Sequence, residues 1–224
     1  MPARLRPTAP LTADAILVGD PGRSLLLAQE LLEKPRMSNH ARGLWGYSGR
    51  TPAGRELTIQ ATGMGGPSAV AVLDDLAELG MRRAVRVGTC VGIGPEAKAG
   101  ELLLVAAAIA GGGSATSLGV GLGDSVAPDP ELRDRLGREL AGEARAATVA
   151  SFDSMPIRSG AVPATVAAAD MQTVAVLARC RELGIAAAAV LIVGGAAATR
   201  EVAEESLEAA AKRAGRAASA SLSA

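Results

Sequence analysis

Three clusters in the 224-residue chain place glycines and arginines where an anion can be held. The first is Gly19-Asp20-Pro21-Gly22-Arg23, where a tight turn brings backbone close to a ligand and Arg23 offers a fork of donors beside a helix start. Standing alone, it also reads as a turn with a surface arginine. The second is Arg86-Val87-Gly88-Thr89-Cys90. An arginine inside an apolar strand is costly unless it meets an anion, and Thr89 brings a hydroxyl to the strand end, where ligands sit in open α/β sheets. The competing reading of Arg86 is a structural salt bridge to Asp20 or Glu101. The third is Thr62-Gly63-Met64-Gly65-Gly66-Pro67-Ser68. Its glycines allow close approach of ligand, loop and helix, and Met64 fits either a sugar face or the core.

The elements around these clusters alternate strand, Gly-rich turn and helix. Residues 15–18, 44–48, 57–61, 84–87, 102–108, 149–152 and 187–193 read as strands, 102–108 being nearly all apolar, as in a sheet covered on both faces. Helices are expected over 24–32, from Pro67 to Leu79, from Pro130 through Leu132, Leu136 and Leu140, over 167–183, and over 201–213 with a fraying end. Gly119-x-Gly121-x-Gly123 has the outline of a dinucleotide loop but lacks the helix and acid that should follow, so residues 111–123 are expected to be a mobile or substrate-facing loop. The pattern predicts one α/β domain over residues 1–224, with a mixed central sheet, helices on both faces and flexible ends at 1–12 and 214–224.

Composition narrows the function. Lys plus Arg and Asp plus Glu number 23 each, so no net charge draws the chain to nucleic acid or an anionic membrane. Aromatics are 1% of the chain, which leaves Ala, Val, Leu and Ile to fill the core. Two cysteines give no disulfide framework, the first ten residues have no signal-peptide core, and no apolar run is long enough to span a bilayer; the expected location is the cytoplasm.

Taken in order, Gly19-Asp20-Pro21-x-Arg23, Arg42, Gly63-Met64-Gly65-Gly66-Pro67-Ser68, Arg86-Val87-Gly88-Thr89-Cys90 and a helix containing Asp170-Met171-Gln172 resemble the nucleoside phosphorylase family of hexameric purine nucleoside phosphorylases and uridine phosphorylases. The resemblance implies phosphorolysis of a nucleoside to free base and pentose 1-phosphate. Inorganic phosphate would be co-substrate, with no cofactor and no metal. It places Gly19, Arg23, Arg86 and Thr89 around phosphate. Arg42 would reach the phosphate of a neighbouring subunit, so a homodimer is the minimal unit and a hexamer stays open. Met64, Met171 and Gln172 would hold the ribose, and Cys90, Val91, Gly92, Phe152 and Arg158 would form the base pocket.

Several positions depart from the family pattern. Gln172 replaces a carboxylate that grips ribose hydroxyls, Val91 replaces a glycine, and Val193-Gly194-Gly195 lacks the acid that purine-specific relatives use on the leaving base. Ala110 stands where uridine-specific relatives carry an arginine, and His40, the only histidine, is assigned to structure or an interface. With Leu76-Ala77-Glu78-Leu79-Gly80 closer to the uridine-specific branch, the expected base is a pyrimidine such as uracil. Two other readings stay open: a weakly active or inactive relative that binds phosphate or a nucleoside-like ligand, and an enzyme for another phosphorylated or ribosyl compound.

Overall fold

Short Val-, Ile-, Leu- and Ala-rich runs separated by Gly-rich turns become the strands of a single sheet. A computed structural model describes residues 4–93, 96–155, 165–196 and 202–223. In chain order the elements are β1 (Asp14–Val18), α1 (Pro21–Leu31), β2 (Glu33–Asn39), β3 (Gly46–Arg50), β4 (Glu56–Ala61), α2 (Gly65–Glu78), β5 (Arg83–Gly92) and β6 (Leu102–Ala110). There follow α3 (Gly113–Thr116), β7 (Ser125–Val126), α4 (Pro130–Glu139), β8 (Ala144–Ser151), β9 (Ala168–Asp170), α5 (Thr173–Glu182), β10 (Ala186–Ala196) and α6 (Glu204–Ser223).

The sheet is mixed, as expected. β4, β1, β5 and β10 lie side by side and parallel, so their carboxyl ends point the same way. β10 turns antiparallel onto β6, β6 runs parallel to β8, and β8 parallel to β9. β9 then pairs antiparallel with the end of β5, Val91 opposite Ala169, which closes five strands into a ring. On the other side β4, β3 and β2 form an antiparallel meander with β2 outermost. Two apolar cores flank the sheet. One packs α2, α3 and α5 through residues such as Leu73, Leu76, Val176 and Leu177; the other packs α1, α4 and α6 through Leu27, Leu136, Ala211 and Ala218. Small side chains let α6 lie close on α1, offsetting the scarcity of rings.

Several expectations need correction. The helix expected over 167–183 is split: Ala168–Asp170 is a strand, and α5 begins only at Thr173. An Ala-rich run has no periodicity to separate the two states, and pairing on β5 and β8 decides it. β2, with its charges and Pro35, gave no strand signal. The last helix does not fray after Arg213: it continues to Ser223, with Ala214, Ala218 and Leu222 buried. At the other end Leu5 is buried, and the backbone N–H groups of Arg4 and Leu5 donate to Asp75 at 2.6 and 2.7 Å. The Gly-rich segment after β6 is partly ordered as α3, where Ser114 donates to Asp153 from both its amide and its hydroxyl.

Candidate active site

The carboxyl ends of the four parallel strands open into one cavity of about 660 Å³. Gly19 and Asp20 follow β1, Gly63 to Gly65 follow β4, Gly88 to Val91 end β5, and Gly194 and Gly195 lie in β10. Met155, Ala169, Asp170, Met171, Gln172 and Leu207 complete the wall.

Arg23 projects from the first turn of α1. Asp20 caps that helix, accepting from the N–H groups of Gly22 and Arg23 at 3.1 Å each. The amide donors of the helix start are thus already occupied, and anion binding here falls to the side chain. The half-buried Arg23 guanidinium has no ion-pair or hydrogen-bond partner among the described residues. Desolvation lowers its pKa; Asp20 opposes this, Arg86 reinforces it and Glu204 opposes it. Arginine keeps its proton in proteins, so the result is a cation in want of an anion.

Arg86 differs in kind. It is 4% exposed, and its Nη2 donates to Asp170 at 2.9 Å, Nη1 to Gln172 Oε1 at 2.6 Å and Nε to Thr173 Oγ1 at 3.2 Å. The salt bridge foreseen as the alternative role therefore exists, but with Asp170; Glu101 pairs with Arg145 instead. Of the five guanidinium N–H groups, those three bonds leave two for a ligand. Gly88 makes this geometry possible, because a Cβ there would stand 2.7 Å from Arg86 Nη2. Asp170 is held in turn by Ser151 Oγ at 2.5 Å and by the amide and hydroxyl of Thr173.

Gln172 sits at the N-terminus of α5, 2% exposed. Its Nε2 donates to the carbonyls of Gly63 at 2.6 Å and Gly65 at 3.0 Å. Its Oε1 accepts from Arg86 and lies 3.1 Å from Thr62 Oγ1, which shares its proton with the Val18 carbonyl at 3.0 Å. Gly63 serves this arrangement with a φ of 72°, open to a residue without a Cβ.

The remaining expected residues divide. Gly19, Thr89, Met64, Met171, Cys90 and Val91 line the cavity; Met64 is 82% and Val91 42% exposed. The Cys90 thiol is buried against the Ile192 carbonyl at 3.5 Å, and burial pushes its pKa up, making it a wall rather than a nucleophile. Gly92 is buried in the pairing with Ala168 and does not reach the cavity. Phe152 packs over Gly111 instead, where a Cβ would meet its ring at 2.4 Å. Arg158 lies outside the described residues. Arg42 occupies an exposed 3₁₀ turn at φ 60° and does not line the cavity of its own chain. No residue of 111–123 lines it either, against the expectation of a substrate-facing loop.

Asp20, Met155 and Leu207 were not singled out as site residues. An Asp directly before Pro at a helix start was a readable cap signal for Asp20; nothing local marked Met155 or Leu207, which topology alone delivers.

Residues 14–223 match the family model of the phosphorylase superfamily. The chain belongs to the phosphorylase superfamily. Among curated relatives, the DeoD-type purine nucleoside phosphorylase of Oceanobacillus iheyensis is 37% identical over 94 residues, 41% of this chain and 40% of the relative. That of Clostridium novyi is 34% identical over 105 residues, 46% and 45% of the two chains. The aligned segments thus span less than half of these phosphorylases. The crystal structure of purine nucleoside phosphorylase from Toxoplasma gondii in complex with immucillin-H superposes with a TM-score of 0.81 at 22% identity, covering 95% of this chain and 90% of that one, which shows a shared fold.

These relatives overturn the expected pyrimidine preference. Its sequence basis was partly a packing signal: Leu76 is core and Gly80 stops α2 at φ 98°, with no bearing on a base. Among the described residues a Cβ at Gly195 would meet nothing within 4 Å, so no bulk stands there in place of the absent acid.

Proposed function

We propose that this phosphorylase cleaves purine nucleosides with inorganic phosphate. An oxygen of phosphate forms a bond to the anomeric carbon as the carbon–nitrogen bond breaks; the electron pair leaves with the base, which takes up a proton, and a pentose 1-phosphate results. The observation that carries this reading is the half-buried Arg23 beside Arg86, without an ion-pair or hydrogen-bond partner among the described residues, above strand ends that converge on one cavity. A phosphate dianion supplies the missing charge, and Thr89 and the two free N–H groups of Arg86 fit its remaining oxygens. Fixing the nucleophile next to a sugar that develops positive charge lowers the barrier through orientation and electrostatics.

Val91, Met155, Ala169 and Leu207 give the apolar walls that suit a flat heteroaromatic base, and Met64 and Met171 flank the sugar between. The names of the curated relatives favour a purine as that base. Exposed Arg42 fits the phosphate of a neighbouring copy in a homo-oligomer. We place the reaction in the cytoplasm, where phosphate and nucleosides are both abundant solutes.

The test is release of free base from inosine, guanosine and adenosine, with and without phosphate. Release that requires phosphate is expected. No release from the whole panel, at high enzyme and saturating phosphate, would sink the proposal.

A further inference from the structure

Met155 belongs to the apolar wall of the cavity, yet it stands on a stretch, residues 152–155, that follows β8 outside any helix or strand. What fixes this stretch lies on the neighbouring strand. β6 and β8 run parallel as far as Ala110 opposite Ser151, so the segments that leave them continue side by side. The Gly111 amide donates to the Ser151 carbonyl at 2.9 Å, extending the pairing by one residue. Beyond it only a glycine fits: a Cβ on Gly112 would stand 2.6 Å from Asp153 Oδ2 and 2.9 Å from the Asp153 backbone nitrogen.

Gly112 is also the residue before α3, and it has no side chain with which to cap that helix. Asp153 supplies the cap from the adjacent segment. Its Oδ2 accepts from the Ser114 backbone N–H at 3.1 Å, and its Oδ1 accepts from the Ser114 hydroxyl. One carboxylate thus ties the stretch carrying Met155 to α3 by two bonds, each strengthened by the charge on the acceptor. α3 is itself seated: Ala115 is buried, and Ser114 lies on Gly66 in the first turn of α2, where a Cβ would stand 2.5 Å from Ser114 Oγ. That turn follows Gly63 and Met64 of the opposite rim. The bond therefore links two parts of the cavity wall, although neither Ser114 nor Asp153 lines the cavity.

We propose that Ser114 and Asp153 are positioning residues for the base wall: their bond holds Met155 against the cavity, and loosening it costs affinity for the nucleoside but not for phosphate. This rests on the proposed nucleoside site and adds the residues that set its fit. The anion half has separate supports, since Arg23 stands on α1, and Arg86 and Thr89 stand on β5. One methylene in an apolar pocket is worth about ten- to two-hundredfold in recognition, so a displaced thioether has a measurable effect.

The experiment measures, by calorimetry on the intact protein, the Kd of inosine without phosphate and of phosphate without nucleoside; initial rates give the KM of each. Ser114→Ala removes the hydroxyl donor, and Asp153→Asn removes the charge and one of the two acceptor oxygens. In either folded variant the Kd and KM of inosine are expected to rise about tenfold, with those of phosphate unchanged. Met155→Ala should bring a similar loss. Adding Ser114→Ala to it should bring no more, because the hydroxyl acts through that side chain.

Unchanged inosine binding, an equal loss for phosphate, or a full effect of Ser114→Ala in the Met155→Ala background would each overturn the proposal. If neither Ser114→Ala nor Asp153→Asn folds, it is overturned too, because the bond then belongs to the fold rather than to the site. Inosine binding without base release on addition of phosphate would overturn phosphorolysis alone, and the dissociation constants would still decide the role of Ser114 and Asp153. No binding of inosine to the unaltered protein would overturn both.

Discussion

Arg86 and Asp170, separated by 84 residues in sequence, meet at 2.9 Å with both side chains almost wholly buried. The pair joins β5, one of the two inner strands of the parallel set, to the junction between β9 and α5. Its consequence for the site is a division between the two arginines. Arg86 is largely neutralised and fixed in plane by Asp170, Gln172 and Thr173, whereas Arg23 feels Asp20 and Glu204 without a direct ion-pair partner among the described residues. Geometry comes from one and electrostatic demand from the other.

Removing the carboxylate should show this as stability. Asp170→Asn is close in shape but leaves the Arg86 guanidinium buried without a counter-charge, and breaking a buried pair from one side costs about 3–5 kcal/mol. Urea denaturation should show a loss of that order. A loss under about 1 kcal/mol would mean that the pair does not hold β5 to α5.

Arg23→Ala should behave oppositely. No partner among the described residues is orphaned, so stability should move by less than about 1 kcal/mol. Binding should suffer, because a hydrogen bond from a charged donor is worth about 1.5–3 kcal/mol. Phosphate KM is expected to rise roughly ten- to a hundredfold. Initial rates against phosphate concentration check this, and an unchanged KM would move the anion elsewhere.

The two buried thiols give a pH dependence. Burial pushes Cys180 up to about 12 from an ordinary value of 9.0 and raises Cys90 in the same direction. In the folded chain both thiols keep their protons above pH 9 while the unfolded chain loses its own, so the stability they contribute is fully present below pH 9 and is lost as pH climbs toward 12. The slope is about 1.4 kcal/mol per pH unit for each thiol. Denaturation midpoints from pH 8 to 10.5 should fall accordingly, and Cys180→Ala should flatten the fall by one proton's worth. Equal slopes in both proteins would contradict the burial of that thiol.

Much of this was legible before any coordinates. Gly19, Arg23, Arg86 and Thr89 were readable because strand, glycine and arginine sit next to one another in sequence, and parallel strands carry such ends to a common rim. The partner of Arg86 was not, since Asp170 lies in an Ala-rich run without periodicity and is brought across by β9. Gln172 looked like a weakened sugar ligand. Only its contacts with two glycine carbonyls show that the amide, rather than a carboxylate, is what this loop requires. The base wall was read least well: Met155 and Leu207 arrive from distant elements, and Phe152, one residue past β8, turns onto Gly111 instead of the cavity. Helix-stop and capping signals around α2 were mistaken for base preference, because local sequence reports local packing first.

The ring made when β9 returns to β5 also bears on aggregation. Strands paired on both sides offer little unsatisfied backbone to another molecule; β8 meets β9 only from Val149 to Ser151, and the outermost strand beyond the ring is β2. That edge carries Glu33, Lys34, Pro35 and Arg36, charges plus a residue that cannot donate. At the β2 edge these residues disfavour strand-by-strand recruitment of further copies by a chain with an almost ring-free, Ala- and Val-rich core.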